Sequence, residues 1–133
     1  MMISTRGRYA LRVMIDLAEQ HSNSYVPMKD VASRQNISLK YLERILPALV
    51  KSHFIEGVHG KGGGYRLTRT PEEYRVGDIL RLTEGDLAPV ACLACGSEPC
   101  ENTECRTKDL WQKLNSIVNE YLDSVTLADL MKK

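Results

Sequence analysis

Four cysteines, Cys92, Cys95, Cys100 and Cys105, fall within 14 consecutive positions of a 133-residue chain and are its whole thiol complement. Clustered thiols in a reducing compartment point to metal or redox chemistry before structural disulfides. Two, four and four residues separate successive cysteines. Zinc favours two C-x2-C pairs held apart by a longer insertion, and only Cys92 and Cys95 have that spacing. A thioredoxin-like role for that pair lacks the strand-then-helix context. Thiolates are soft ligands, and four of them on a loop containing Pro89, Gly96 and Pro99 suit an iron–sulfur cluster best. His21, His53 and His59 are scattered along the chain and read as ordinary histidines.

The elements on either side must position this segment, and the charge distribution separates them. The formal net charge is only +1, yet residues 1–75 carry 12 basic and 7 acidic side chains, while residues 76–133 carry 6 and 10. A half at +5 followed by a half at -4 suggests that the first meets a polyanion. With 43% hydrophobic and 26% charged residues the composition is that of a folded domain. No apolar run reaches the roughly 18 to 20 residues needed to span a bilayer, and the N-terminus has no apolar signal core. The expectation is a cytoplasmic protein without a membrane association.

Apolar residues at helical spacing predict a first helix over Tyr9 to Gln20, a second over about Met28 to Gln35 and a third over Leu39 to Ser52. Pro27 suits the start of the second. Ser38 is an N-cap for the third, with Ile37 able to staple onto Leu42. In the third helix Leu42, Ile45, Leu46 and Leu49 form the buried stripe, so Lys40, Tyr41, Glu43, Arg44 and Lys51 face out. Pro47 is anomalous there and predicts a bend, or a helix whose regular first half matters. Alternating runs at Phe54–His59 and Tyr65–Thr68 flank Gly60-Lys61-Gly62-Gly63-Gly64 and predict a hairpin with a basic, glycine-rich tip. A fourth helix follows from Val76 to about Gly85. A long one spans about Thr107 to Leu122, with Leu110, Trp111, Leu114, Ile117, Val118 and Tyr121 as its apolar face. A capping box at Thr126 opens a short last helix.

The fold expected is mostly α with a small β-hairpin wing: a winged helix-turn-helix domain at residues 1–75, a linker helix and cysteine-rich loop at 76–106, and a long amphipathic helix, its apolar face in need of a partner surface, with a short C-terminal helix at 107–133. The capped end of the third helix would present Ser38, Lys40, Tyr41, Glu43 and Arg44 to a major groove of double-stranded DNA. The tip, with Lys61, Gly62 and Gly63, would approach phosphates or a minor groove. Arg6, Arg8 and Arg12 would add backbone contacts. Glu43, repelled by phosphate, can accept a hydrogen bond from cytosine. The plainer alternatives are a solvated charged face and glycines that serve a tight turn. A phosphate-binding P-loop is disfavoured, because Lys61 precedes the glycine run and Tyr65 follows it.

Ser4-Thr5-Arg6-Gly7-Arg8-Tyr9-Ala10-Leu11-Arg12, Tyr41-Leu42-Glu43-Arg44-Ile45-Leu46, Gly60-Lys61-Gly62-Gly63-Gly64-Tyr65-Arg66-Leu67 and Lys108-Asp109-Leu110-Trp111 resemble successive signatures of the Rrf2 family of winged-helix regulators, the IscR, NsrR, RirA and CymR type. The likeness covers essentially the whole chain. It implies a homodimer with crossing C-terminal helices that reads a palindromic operator. It further implies iron–sulfur ligation by Cys92, Cys100 and Cys105, although four residues separate the last two where five is usual. The family's fourth-ligand positions hold Lys108 and Arg8 here, neither of them a ligand. Cys95 is the candidate fourth, with a spare thiol as the alternative, and the cluster could be 2Fe-2S or 4Fe-4S.

The function expected is a sequence-specific transcriptional repressor whose operator affinity responds to the cluster. The acidic residues Glu84, Asp86, Glu98, Glu101 and Glu104 would hold the sensing face off DNA. The alternatives are a cluster-free repressor governed by thiols, by zinc or by a regulatory protein partner in the CymR manner, and, from another class, a small redox carrier or thiol oxidoreductase. No nucleophile, base and orienting acid come together in the pattern, so no enzymatic activity is expected.

Overall fold

The computed structural model describes residues 3–20, 24–85, 87–89 and 106–131. All four cysteines lie outside the described residues, as do Asp86, Glu98, Glu101 and Glu104. Among the described residues six α-helices and one hairpin follow in order: α1 (Thr5–Glu19), α2 (Met28–Gln35), α3 (Leu39–Lys51), β1 (Ile55–Val58), β2 (Gly64–Leu67), a 3-10 turn (Pro71–Glu73), α4 (Val76–Glu84), α5 (Lys108–Ser124) and α6 (Leu127–Leu130).

Helix α1 begins four residues before the predicted start. Ser4, in extended conformation, accepts from the Gly7 amide and caps it, a signal the glycine at position 7 obscures because glycine disfavours a helix interior. Its apolar face (Ala10, Val13, Met14, Leu17) meets Val31 of α2 and Leu42, Ile45, Leu46 and Leu49 of α3 in one core, to which Ile37 also belongs. Between α1 and α2 runs a polar clamp. The nearly inaccessible carboxylate of Asp16 accepts from Arg34 Nη2 at 2.7 Å, Arg34 Nε at 3.0 Å and Gln35 Nε2 at 3.0 Å. That hydrogen bond and the charge of Asp16 raise the Arg34 pKa above its usual value. Arg12 donates to the Gln35 carbonyl and side chain and lies over the Tyr9 ring. It is thus a brace between helices.

The strands pair antiparallel with Ile55 opposite Leu67 and Val58 opposite Gly64. Val26 extends the sheet by a two-way backbone bridge to Tyr65, N to O at 2.8 and 2.9 Å. This bridge fastens the wing to the entrance of α2.

Tyr74 closes the hairpin base. Its ring is buried and stacks edge-on against Phe54. Its hydroxyl donates to the Phe54 carbonyl at 2.6 Å and accepts from the amides of Thr68 and Arg69 at 3.0 and 3.1 Å. Tyr74→Phe takes a hydrogen bond from each of these three partly buried backbone groups, and such bonds contribute a net of about 0.5 to 1.5 kcal/mol each. Chemical denaturation should show a loss of that size with little change in secondary structure; an unchanged midpoint would contradict the hub role.

The last residues return to the winged half. Val76 N donates to the Val125 carbonyl and Leu127 N to the Tyr74 carbonyl, both at 2.9 Å, in an antiparallel bridge of Arg75 with Thr126. The predicted capping box is present: Thr126 accepts from the Asp129 amide, and the Asp129 carboxylate accepts from the Thr126 amide. Leu127 is fully buried in the main core. A smaller cluster of Val76, Leu80 and Leu87 takes in Ile3, Leu11, Leu122 and Val125, where the ends of α1, α4 and α5 meet.

Candidate nucleic-acid interface

Helix α3 starts at Ser38, whose hydroxyl accepts from the Tyr41 amide at 3.1 Å. The chain before it leaves α2 through Asn36 in the left-handed conformation (φ 53°), so the two helices are joined by a tight turn. The buried positions of α3 are Leu42, Ile45, Leu46 and Leu49, as its periodicity requires. Ser38, Lys40, Glu43 and Arg44 are therefore exposed along its first turns. Tyr41 is only partly available, since its ring packs edge-on against Tyr9 at 5.2 Å between centroids.

Pro47 neither ends nor interrupts the helix, which runs unbroken to Lys51. Proline removes the amide that would serve the carbonyl of Glu43. Pro47 and Glu43 are both on the exposed face, where water can satisfy that carbonyl, and this lowers the cost of an interior proline.

At the wing tip His59, Gly60, Lys61 and Gly62 are exposed. Gly62 has φ 80°, and the Gly63 amide donates back to the Gly60 carbonyl at 3.0 Å. A side chain at Gly63 would collide with the Val58 carbonyl. The glycines thus build the turn, which is the plainer of the two readings, and the turn in turn projects Lys61. A groove of about 420 Å³ lies between the hairpin and α3, lined by Leu39, Glu43 and Val50 from α3 and by Val58, Gly63 and Tyr65 from the hairpin. Glu43 and the wing are brought together here. Arg6 and Arg8 are exposed on the first two turns of α1, with Arg8 Nη2 donating to Thr5 Oγ1 at 3.1 Å.

No residue of α5 is buried. Leu110, Leu114, Ile117 and Tyr121 are 58, 36, 54 and 65% exposed, whereas Trp111 and Val118 are half-buried. What holds the helix to the body is largely polar and went unnoticed in the sequence. The Arg81 guanidinium of α4 forks onto the Asp123 carboxylate at 2.8 and 3.0 Å and donates to Asn119 Oδ1 at 2.8 and 3.2 Å. Asn119 and Asp123 stand four apart on one face, a signal that fits a single planar partner. Glu84, expected to screen the sensing face, is bonded to the amide and hydroxyl of Ser4.

Among the described residues no group of three or more His, Cys, Asp or Glu is gathered to hold a metal, and no helix is long and apolar enough to cross a membrane. The metal assignments to Cys92, Cys95, Cys100 and Cys105 fall outside the described residues.

Over residues 3–133 the chain matches the family model Rrf2, described as iron-dependent transcriptional regulator. It is 37% identical over 132 residues to the HTH-type transcriptional regulator IscR of Aliivibrio salmonicida, which takes in 98% of this chain and 77% of that one. Among solved structures it is similar to CymR, the global cysteine regulator of B. subtilis, with a TM-score of 0.84 and 37% identity over 98% of this chain and 95% of that one. It is likewise similar to T. potens IscR, with a TM-score of 0.75 and 35% identity over 98% and 85%.

Proposed function

Since the chain belongs to the Rrf2 family of transcriptional regulators, we propose that it is a sequence-specific repressor whose operator affinity is set by an iron–sulfur cluster at its cysteine segment. The observation that carries the DNA half is the capped, exposed start of α3 facing one groove with the wing. Ser38, Lys40, Tyr41, Glu43 and Arg44 enter a major groove, while Lys61, Gly62 and Gly63 of the tip and Arg6 and Arg8 of α1 lie along phosphates. Tyr41 contributes its hydroxyl edge only, because its ring is committed to Tyr9. The winged unit is residues 1–75, the sensing segment 76–106 and the dimerisation unit 107–133.

A second copy of the chain covers Leu110, Trp111, Leu114, Ile117, Val118 and Tyr121. Exposed apolar side chains in a row along one helix mark an interaction face, and two-fold dimers read palindromes with half-sites about one helical turn apart.

The donor set at the sensing segment is four thiols, which fits soft-metal and iron–sulfur chemistry. Cys92, Cys100 and Cys105 would hold the cluster with Cys95 as the fourth ligand, and the group supplies a redox- and iron-responsive load on the link between α4 and α5. Loading that favours one placement of the two winged units shifts operator affinity by linkage. Protein purified without oxygen should be coloured, with iron and sulfide in stoichiometric amounts and visible absorption that fades in air. Colourless, iron-free protein that takes up zinc tightly would sink this half of the reading. That result would favour a second one, a thiol-, zinc- or partner-controlled repressor, which the greater structural likeness to CymR than to IscR supports.

A further inference from the structure

We propose that Glu84, the last residue of α4, is a positioning residue for DNA binding: it latches the first turn of α1 and so holds Arg6 and Arg8 in place. The inference rests on the assignment of those two arginines to the phosphate backbone.

Glu84 Oε1 accepts from the Ser4 amide at 3.0 Å and from the Ser4 hydroxyl at 2.5 Å. The same hydroxyl accepts from the Gly7 amide. One serine is therefore both the cap of α1 and the anchor of the carboxylate. The first amides of a helix lack partners within it and carry its positive dipole end, so an acidic group placed here stabilises the turn. That turn carries no acidic residue of its own; Glu84 supplies the missing charge from 80 positions away.

The glycine at position 7 fits the same function. Its conformation is ordinary helix, so no positive φ requires glycine there. A Cβ at that point would instead strike Glu84 Oε1 and crowd Thr83 Oγ1 and Ile3 at 3.2 Å each. The site gives up helix propensity and gains room for the carboxylate. Ile3, next to Ser4, packs against the apolar cluster of Val76, Leu80 and Leu87, so an apolar contact between the start of α1 and the α4 region accompanies the latch. Arg6 and Arg8 follow Ser4 by two and four positions, within the turns the latch secures. Once it opens, those turns fray and the two cations are no longer presented together.

The test uses the full-length chain, an operator selected by that chain from random duplexes, and an unselected duplex of equal length. Glu84→Ala should lower affinity for both DNAs by about tenfold at moderate salt. The slope of log affinity against log salt should become shallower by about one to two, since each phosphate contact contributes roughly 0.9. Ser4→Ala, which opens the latch from the other side, should do the same; Glu84→Gln, which keeps an oxygen for the Ser4 donors but not the charge, should fall between Glu84→Ala and the wild-type slope. In a background of Arg6→Ala with Arg8→Ala, Glu84→Ala should have no further effect. An unchanged slope in both Glu84→Ala and Ser4→Ala overturns the inference, as does a full additional loss in the double-arginine background. Wild-type protein that shows no salt-dependent duplex binding refutes the DNA reading itself, an outcome distinct from either.

Discussion

Lys40→Ala combined with Arg44→Ala is expected to abolish preference for a selected operator while leaving the fold intact. Both side chains are exposed on α3, away from the buried Leu42, Ile45, Leu46 and Leu49, so nothing in the core depends on them. A cation that reads a guanine edge contributes about 1 to 3 kcal/mol of discrimination. Two of them together amount to about 2 to 6 kcal/mol, a loss from roughly thirtyfold upward. Residual binding should remain and stay steeply salt-dependent, carried by Arg6, Arg8 and Lys61. Titration of a labelled duplex against wild type and variant, with thermal melting as the control, decides the matter. Equal operator affinity at equal melting temperature would reject α3 as the reading element.

Removal of residues 126–133 should unfold the winged half or bring it close to unfolding, although the cut lies more than fifty residues beyond the wing. The deletion takes away Leu127, fully buried among side chains of α1 and its neighbours, and the backbone bond from Leu127 to Tyr74. Leu127→Ala alone should cost about 2 to 5 kcal/mol, the range for a leucine truncated inside a packed core. Against a total stability of about 5 to 15 kcal/mol for a typical domain, that is a large share. Denaturant titrations at fixed protein concentration measure it, because an oligomer's apparent stability varies with concentration. A deletion variant that melts like wild type would show that α6 is an ornament. The corollary is that a fragment of residues 1–75 should fold poorly, despite containing every element of the helix-turn-helix and wing.

The elements that could be read from the chain were those governed by local chemistry. Leu42, Ile45, Leu46 and Leu49 repeat at helical spacing, Ser38 is a capping residue followed by that stripe, and Thr126 with Asp129 spells a capping box; each depends on neighbours within a few positions. Helix α2 was read at Met28 to Gln35 for the same reason. What stayed hidden was non-local. Nothing near Tyr74 announces that its hydroxyl will serve Phe54 and Thr68, 20 and 6 positions away. Arg12 looks like any solvated cation until Gln35 is folded against it. Glu84 looked like part of an acidic cluster, and its partner proved to be Ser4. At the interface, the exposure of Lys40 and Arg44 followed from helix periodicity, but the partial withdrawal of Tyr41 needed Tyr9, thirty-two residues upstream, to be in view.

The attachment of α5 has a mechanical consequence. Its hold on α4 is concentrated at Asn119 and Asp123, with Leu122 and Val125 in the apolar cluster beside them. Lys108, where the helix begins, lies eleven residues before Asn119, about 16 Å along the axis at 1.5 Å per residue. The helix is thus clamped near its C-terminal end by the described contacts, and the cysteine segment precedes its other end in the chain. A pull there acts on Arg81 with the full length of the arm, and a tilt of about 10° at the clamp sweeps the tip through about 3 Å over that length. A small rotation at the clamp is thereby magnified at the start of the helix, where Leu110 and Leu114 stand exposed.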